Sequence, residues 1–262
     1  PDAVREEMTG YRTCIFDLYG TLVDIHTDEN APQVWEALAA HYSARGAVYR
    51  PKELRDAYFR AVAEAEGSAP LRRDAHEAHP EIQIEPVFAK LFRDRGVPAD
   101  GERSAEAGRR FRALSTDYIR LYPGAKELLH TLRAQGRGVY LLSNAQALFT
   151  RTELDELGLT DCFDGICLSS DYGMKKPDRR FFEVLFQTYG LSPEGAVMVG
   201  NDGICDIQGA REAGLDTVYI RSNLSPDEPA PEADFVLAEM DLGKVLDILT
   251  HGRDGTWQAA IR

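Results

Sequence analysis

Six short runs of apolar and β-branched residues constrain the fold of this chain more than any other feature. They lack polar alternation, which is typical of parallel strands because such strands are buried on both faces. Between them lie stretches with apolar residues three or four positions apart, which predict helices. The alternation predicts an α/β fold with a doubly wound, Rossmann-like parallel sheet. The six runs are residues 13–16, 139–142, 165–168, 196–199, 217–220 and 235–237.

Three helices between these strands carry start or stop signals. One begins at Ala125 and is stopped by Gly136. Another has Asp178 as its N-cap and stops at Gly190, because a carboxylate caps free N–H groups and glycine ends helices readily. A third is predicted after Ser192 and Pro193, with serine as N-cap and proline at the first helical position.

The segment 28–118 differs from the rest of the chain. It is predicted to form four helices, at 31–45, 52–66, 83–95 and 103–118, and no strand of comparable quality. Its charge is also nearly balanced, with 16 acidic and 14 basic residues in 28–117, against 27 acidic and 16 basic elsewhere. We therefore predict an α/β core formed by 1–27 and 119–250, an inserted helical-bundle cap at 28–118, and a C-terminal tail at 251–262.

Composition limits the class of partner. The chain has 262 residues and a formal net charge of −13, which disfavours the phosphate backbone of nucleic acids and anionic membrane surfaces. No apolar run approaches the roughly 18 residues of a membrane span, and no signal-peptide apolar region is visible near the start. The four cysteines are far apart and show no metal or redox spacing. We expect a cytoplasmic protein with a small-molecule ligand, either monomeric or homodimeric.

Polar residues follow several of the predicted strands. In open α/β sheets, ligands bind in the crevice at the carboxyl ends of the strands. A carboxylate, a hydroxyl, a lysine and a carboxylate pair gathered there suit nucleophilic attack on an anionic substrate. The residues that follow the strands are Asp17, Ser143, Asn144, Lys176, Asp202 and Asp206.

These motifs, in this order, resemble those of the haloacid dehalogenase superfamily, subfamily I. The resemblance extends from about residue 11 to 249, with the 28–118 insertion where C1-type helical caps occur. It implies a hydrolase with a carboxylate nucleophile. The segments that carry it are Asp17-Leu18-Tyr19-Gly20-Thr21, Ser143-Asn144, Lys175-Lys176-Pro177 and Gly200-Asn201-Asp202-Gly203-Ile204-Cys205-Asp206.

The resemblance implies a catalytic role for each matched position. Asp17 matches the family nucleophile, which forms a covalent intermediate and divides one difficult step into two. Thr21 and Ser143 match the hydroxyls that hold the substrate anion. Asn144 follows Ser143 at the start of a predicted helix, whose free N–H groups favour anions. Lys176 matches the lysine that offsets repulsion between the nucleophile and the substrate.

The same resemblance implies a Mg²⁺ site. Asp202 matches the acid that binds the ion together with Asp17 and the backbone carbonyl of Tyr19, and oxygen ligands of this kind are those that Mg²⁺ prefers. Asp206 is expected to orient Lys176 or a metal-bound water.

Tyr19 departs from the phosphatase pattern. Most phosphatases of the superfamily have a second aspartate there as general acid and base, and a phenol with an ordinary pKa of about 10 is a poor substitute. The dehalogenases proper carry tyrosine at this position, but they usually have asparagine at the position of Asp202. The two motifs therefore point in different directions.

Three hypotheses remain open at this point. The first is a Mg²⁺-dependent phosphatase that acts on a small phosphomonoester through an aspartyl-phosphate at Asp17. The second is a 2-haloacid dehalogenase that uses the same nucleophile. The third is a catalytically weakened protein that binds a phosphorylated metabolite.

Three histidines are further candidates. His26, nine residues after the nucleophile, is predicted to reach the substrate, with an exposed linker position as the alternative. His76 and His79 are three positions apart. A metal pair, a substrate-specificity loop and a solvated loop are all compatible with that spacing.

Overall fold

The computed structural model describes residues 9–67 and 81–252 and contains two kinds of unit. The strands are β1 Thr13–Phe16, β2 Val23–Thr27, β3 Thr116–Leu121, β4 Gly138–Ser143, β5 Gly165–Leu168, β6 Ala196–Gly200, β7 Asp216–Ile220 and β8 Phe235–Leu237. The helices are α1 Pro32–Ser43, α2 Pro51–Gly67, α3 Glu85–Arg93, α4 Gly101–Ser115, α5 Ala125–Ala134, α6 Ala147–Glu156, α7 Arg179–Tyr189, α8 Gly209–Glu212 and α9 Leu242–His251.

The main sheet has six strands in the order β5-β4-β1-β6-β7-β8, and all of its neighbouring pairs are parallel. All six predicted strands are confirmed within one or two residues at their ends. Strand β1 lies between β4 and β6. After β1 the chain adds β4 and β5 on one side of it, and then β6, β7 and β8 on the other. That reversal creates a crevice at the carboxyl end of β1.

Side chains alternate between the two faces of this sheet, and helices cover both. In β1, Cys14 and Phe16 join the apolar cluster that includes α5 and α9, whereas Ile15 joins the cluster that includes α7 and α8. The buried runs therefore contain no polar alternation because both faces lie against helices.

Two of the three helices predicted from start and stop signals are confirmed. Helix α5 ends at Ala134, shortly before Gly136. Helix α7 has Asp178 as its N-cap, with the carboxylate accepting from the N–H of Arg180, and ends at Gly190 with a φ of 64°. The helix predicted after Ser192 and Pro193 is wrong, because β6 already begins at Ala196 and the intervening residues form a turn.

Helices α1–α4 form a separate unit, which we call the helical unit. Its apolar core is rich in aromatic side chains, with Trp35, Tyr58 and Phe111 in mutual contact. Phe149 of α6 joins the same core, so the helical unit packs directly on the α/β unit near the crevice.

The prediction of a helix over 103–118 is wrong at its end, as is the prediction that the inserted block contains no good strand. Helix α4 ends at Ser115, and β3 begins at Thr116 and pairs antiparallel with β2. This two-stranded ribbon carries the chain into and out of the helical unit.

None of the described helices is both long and apolar enough to cross a bilayer. His76, His79 and most of the predicted C-terminal tail lie outside the described residues.

Candidate active site

The predicted catalytic residues meet at the carboxyl end of the central strands. Asp17 directly follows β1, Ser143 is the last residue of β4, and Asn201 follows β6. Register places Phe16 opposite Leu141 on one side and Val199 on the other. Residues far apart in the chain therefore lie at one edge because the three strands are parallel neighbours.

Lys176 connects two of the three predicted carboxylates, those of Asp17 and Asp206. Its Nζ donates to Oδ1 of Asp17 at 2.9 Å, to Oδ1 of Asp206 at 2.7 Å, and to the carbonyl of Leu142 at 2.7 Å. The lysine side chain is 1% exposed. All three donor positions of the ammonium are thus used at a single buried point.

This arrangement changes the ionisation of both partners. Burial alone would lower the pKa of Lys176, but the charges of Asp17 and Asp206 outweigh it and raise that pKa above its ordinary value. Burial raises the pKa of Asp17, and Asp206 adds to the shift while Lys176 opposes it. Two carboxylates share one ammonium, so the site carries excess negative charge.

Asp206 is fixed by the backbone as well as by the lysine. Its Oδ2 accepts from the N–H groups of Asn201 and Asp202, both at 3.0 Å. The carboxylate lies so close to Gly200 that a Cβ there would come within 2.3 Å of the Asp206 Cγ. Both oxygens of Asp206 are therefore hydrogen bonded, and one of them accepts from Lys176.

Thr21 lies on the other side of Asp17, together with a residue that the motif analysis missed. The Thr21 hydroxyl is 3.4 Å from Oδ2 of Asp17 and 3.3 Å from Oδ1 of Asn201. Gly20 has a φ of 89°, and a Cβ at this position would come within 2.3 Å of the Asn201 amide. The motif Gly200–Asp206 contains Asn201, directly before the predicted Asp202. The position of Asn201 in that motif did not indicate a contact with Thr21.

Ser143 presents a buried hydroxyl that lacks a partner. The residue is 1% exposed, and its Oγ forms no hydrogen bond within residues 9–67 and 81–252. A buried hydroxyl without a partner is costly unless a ligand satisfies it. The position, beside Asp17 at the same sheet edge, is where a substrate oxygen would do so.

Asn144 has a different role from the one its position suggested. Its side-chain amide donates to the carbonyl of Lys176 at 2.9 Å and accepts from the N–H of Lys176 at 2.8 Å. Helix α6 begins only at Ala147, so Asn144 does not open a helix as predicted. The amide instead fixes the backbone that carries the lysine.

Asp202 caps the turn that follows β6. Its Oδ1 accepts from the N–H groups of Ile204 and Cys205 at 2.9 and 2.7 Å, at the start of a π-helical segment, Gly203–Gln208. The part of the chain that the structure describes contains no group of three His, Cys, Asp or Glu side chains that could hold a metal ion. A metal site here therefore depends on Asp17, Asp202 and other oxygen donors, such as the Tyr19 carbonyl.

The side chain of Tyr19 is fully engaged. Its hydroxyl donates to Oε2 of Glu153 and lies 2.9 Å from the hydroxyl of Thr150. Burial, and then the charge of Glu153, raise the pKa of Tyr19 well above its ordinary value, and Arg112 opposes the shift. The phenol proton therefore stays on Tyr19, directed at Glu153.

A cavity of about 370 Å³ lies between the helical unit and the sheet edge. Tyr19, Asn144 and Phe149 line it, together with the cationic side chains of Arg112 and Lys175. Glu29, which precedes α1, also lines the cavity, and burial raises the pKa of its carboxyl. A molecule in this cavity meets both units at once.

His26 lies on the ribbon and not in this cavity. Its Nδ1 is 2.6 Å from Oδ2 of Asp117, its ring stacks on Tyr118, and its side chain is 58% exposed. The predicted substrate contact stays a prediction, while the observed partners are those of an exposed surface residue.

Comparison with known proteins identifies the family. The family model described as haloacid dehalogenase-like hydrolase matches residues 11–214. The chain belongs to this family. The match includes β1, the whole helical unit and the segments that carry Ser143, Lys176 and Asp202.

Two curated relatives and one solved structure illustrate what this haloacid dehalogenase-like hydrolase is similar to. It is 30% identical to phosphoserine phosphatase from Thermus thermophilus over 219 residues, which cover 79% of this chain and 88% of the relative. It is 26% identical to (S)-2-haloacid dehalogenase 4A from Burkholderia cepacia, with coverages of 83% and 86%. The crystal structure of the putative hydrolase YfnB from Bacillus subtilis, bound to magnesium, matches with 25% identity and a TM-score of 0.54, covering 92% of this chain and 99% of that one.

The predicted residues of this hydrolase fall into two groups. One group lies around Asp17: Asp17, Thr21, Lys176 and Asp206 are linked by hydrogen bonds, Asn144 bonds the backbone of Lys176, Ser143 ends β4, and Asp202 lies just after β6. The other group consists of Tyr19 and His26, whose side chains have partners elsewhere.

Proposed function

We propose that this hydrolase is a Mg²⁺-dependent phosphatase that acts on a small phosphomonoester through an aspartyl-phosphate at Asp17. The observation that carries the proposal is the buried Ser143 hydroxyl without a partner, beside the Asp17 carboxylate, which accepts a hydrogen bond from Lys176. That combination provides a nucleophile, a cation and a free donor for a substrate oxygen.

The residues divide the reaction into two displacements at phosphorus. An Asp17 oxygen forms a bond to phosphorus while the bond to the leaving oxygen breaks, and the leaving group departs as an alkoxide or phenoxide that takes a proton from solvent. Water then attacks the same phosphorus, which releases inorganic phosphate and restores the carboxylate. Ser143 and Thr21 donate to the phosphoryl oxygens, and Lys176 reduces repulsion between the two anions.

The donors at the sheet edge fit Mg²⁺ in chemical type. Asp17 and Asp202 supply carboxylate oxygens. The backbone hydrogen bonds of the turn are accepted by the carbonyls of Leu18 and Val23, and not by the carbonyl of Tyr19. Mg²⁺ commonly uses one or two protein carboxylates plus substrate phosphate. When bound, it would neutralise phosphoryl charge; the excess negative charge around Lys176 supports a requirement for it.

We also propose that the helical unit acts as a C1-type cap. The cavity between the two units is the space in which a leaving group would lie, and the cationic side chains of Arg112 and Lys175 are among those that line it. A cap over this space would exclude water from the first displacement and select among leaving groups.

The engagement of Tyr19 adds a constraint on the leaving group. The Tyr19 hydroxyl donates its proton in a hydrogen bond to Glu153, so Tyr19 does not protonate the departing oxygen. We therefore expect fast turnover of esters with acidic leaving groups and slow turnover of simple alkyl phosphates.

Hydrolysis of p-nitrophenyl phosphate tests the proposal directly. We expect turnover with Mg²⁺, loss of turnover on chelation by EDTA, and loss in Asp17→Asn. Turnover that persists after thorough chelation would overturn the metal assignment. A folded wild-type protein with no turnover of any phosphorylated compound would instead favour the third hypothesis, a phosphometabolite-binding protein.

The second candidate is a 2-haloacid dehalogenase, and Tyr19 is the observation that favours it. In that reaction Asp17 attacks the carbon that bears the halogen, and halide leaves without a proton, so an engaged tyrosine does no harm. Chelation separates the two activities, because dehalogenation should survive EDTA and phosphatase activity should not.

A further inference from the structure

Glu153 contacts two residues, Tyr19 and Arg112, that line the cavity between the helical unit and the sheet edge, which we call the active-site cavity. It lies on α6, its Oε2 accepts from the Tyr19 hydroxyl, and its Oε1 accepts from Nε of Arg112 at 2.6 Å. Tyr19 belongs to the turn that follows the nucleophile, and Arg112 belongs to α4 of the helical unit. One carboxylate therefore links the nucleophile turn, the α/β unit and the helical unit.

This contact is shielded from water. The side chains of Arg112 and Glu153 are 18% and 9% exposed. The Arg112 guanidinium also lies 5.9 Å from the centre of the Tyr19 ring and 5.4 Å from that of Phe149. An ion pair with so little solvent access is screened less than a surface pair, and loss of one partner leaves the other charge buried without compensation.

Arg112 also lies between two cavities. Arg112 and Phe149 line both the active-site cavity and a second cavity of about 300 Å³ between α4, the ribbon and α6. Arg112 thus forms part of the wall behind the space proposed for the leaving group. If α4 moved away from α6, this wall would open.

We propose that Arg112 and Glu153 are positioning residues that hold α4 against the nucleophile turn, with Tyr19 as the fixed point on the α/β side. We call this contact the Arg112–Glu153 latch. It assigns the Tyr19 hydroxyl a mechanical role in place of proton transfer. The expected effect of the latch on substrate binding rests on the proposed phosphatase function. Its expected effect on the distance between the two units does not.

Distance measurement between two spin labels tests the latch without any substrate. Val48 in the helical unit and Val236 in β8 are exposed, and the four native cysteines are buried, so labels on Val48→Cys and Val236→Cys report the separation of the units. We expect a narrow distance distribution in the otherwise unchanged protein. Arg112→Met and Glu153→Gln should each broaden it and shift it to longer distances.

A matched control separates the latch from the general loss of a charge. Arg45 forms a 2.6 Å ion pair with Glu106, but both residues belong to the helical unit region between Pro32 and Ser115. Arg45→Met removes the same group and should leave the distribution unchanged. Arg112→Lys, which keeps the charge, should show a smaller change than Arg112→Met.

Kinetics provide the second readout. With p-nitrophenyl phosphate, we expect KM to rise at least about fivefold in Arg112→Met and Glu153→Gln, with a smaller change in kcat. A merely structural role would reduce the folded fraction, and hence kcat, without changing KM.

The outcomes are distinct. An unchanged distance distribution in both folded variants would overturn the latch, whatever the kinetics. A changed distribution with an unchanged KM would overturn its role in positioning. Wild-type protein without phosphatase activity would contradict the proposed function, and the distance measurement would still decide on the latch.

Discussion

The ammonium of Lys176 lies 2.9 Å from Oδ1 of Asp17, although the two residues are 159 positions apart in the chain. A second carboxylate, Asp206, contacts the same nitrogen at 2.7 Å and receives two backbone N–H groups. Asp17, Lys176 and Asp206 therefore form one hydrogen-bonded unit at the end of the central strand.

Replacing Asp206 tests whether it orients Lys176 or binds the metal. Asp206→Asn should lower kcat for p-nitrophenyl phosphate about 10²-fold, because the lysine loses one of its two carboxylates. The Mg²⁺ concentration for half-maximal activity should stay the same. In Asp202→Asn, by contrast, that concentration should rise. A large increase in the Mg²⁺ requirement of Asp206→Asn would show that it is a ligand.

Replacing Tyr19 tests whether a missing acid limits the rate. Tyr19→Asp should raise kcat on alkyl phosphates at least about tenfold, since a positioned general acid contributes roughly 10²–10⁴-fold. Turnover of p-nitrophenyl phosphate should rise much less, because that leaving group needs no proton. No gain on alkyl phosphates in a folded variant would count against this explanation. Tyr19→Phe, which supplies no acid, is the control.

Arg137 should stabilise the fold without affecting the reaction. This buried guanidinium donates to the carbonyls of Thr9, Tyr11 and Leu249, and so connects the start of the described chain, β4 and α9. Arg137→Met should reduce the free energy of unfolding by about 3 kcal/mol, because three carbonyls, those of buried Tyr11 and Leu249 and of exposed Thr9, lose a charged donor. Urea unfolding measures the change, and an unchanged KM shows that the site is intact. A loss below about 0.5 kcal/mol would contradict the role.

Asp24 should make stability depend on acid pH. Burial opposes its charge, but hydrogen bonds from Asn223 and Arg120 outweigh it and lower the pKa of Asp24 in the folded state. The unfolded chain then takes up the proton first, with a pKa of about 3.9. Stability from this group is therefore present above about pH 4 and is lost as the pH falls through the folded pKa.

Urea unfolding of Asp24→Asn tests whether the contribution of Asp24 to stability is lost as the pH falls. The variant should be less stable than the wild type at pH 6, and the difference should shrink as the pH is lowered toward 3. A difference that is constant over this range would mean that the ionisation of Asp24 does not contribute. Asp241→Asn makes a useful comparison, because hydrogen bonding to the N–H of Lys244 lowers the pKa of Asp241 as well, at an exposed helix N-cap.

The sequence predicted the parts of the fold that depend on local pattern. The strand around Ile15 and the helix that begins after Asp178 were found because burial on both faces and a carboxylate N-cap leave signals within a few residues. The helix after Ser192 failed because a serine–proline start signal carries no information on length, and β6 follows at once.

The ribbon escaped prediction because its signal is not local. Tyr118 and Arg120 alternate with Ile119 and Leu121, but the partner strand, β2, lies more than ninety positions earlier. Asp24 ties the two strands through Tyr118 and Arg120, and also reaches Asn223 beyond β7. Only the folded chain brings these groups together.

The candidate site divides in the same way. Asp17, Thr21 and Lys176 could be predicted because motif order specifies them, and parallel strands must meet at one edge. The contact of Tyr19 with Glu153 could not, because Glu153 lies on a helix with no motif of its own. Arg112 was missed for the same reason. Asn201 stands inside a motif, but its contact with Thr21 depends on which side chains it faces in the folded chain.

Covalent labelling of Asp17 is the most direct test of the central claim. Wild-type protein is mixed with p-nitrophenyl phosphate and Mg²⁺, quenched in acid within the first turnover, digested, and examined by mass spectrometry. We predict one phosphoryl group on the peptide that contains Asp17, absent in Asp17→Asn and absent without Mg²⁺. Turnover without any phosphorylated Asp17 peptide, or with the phosphoryl group on another residue, would contradict the account.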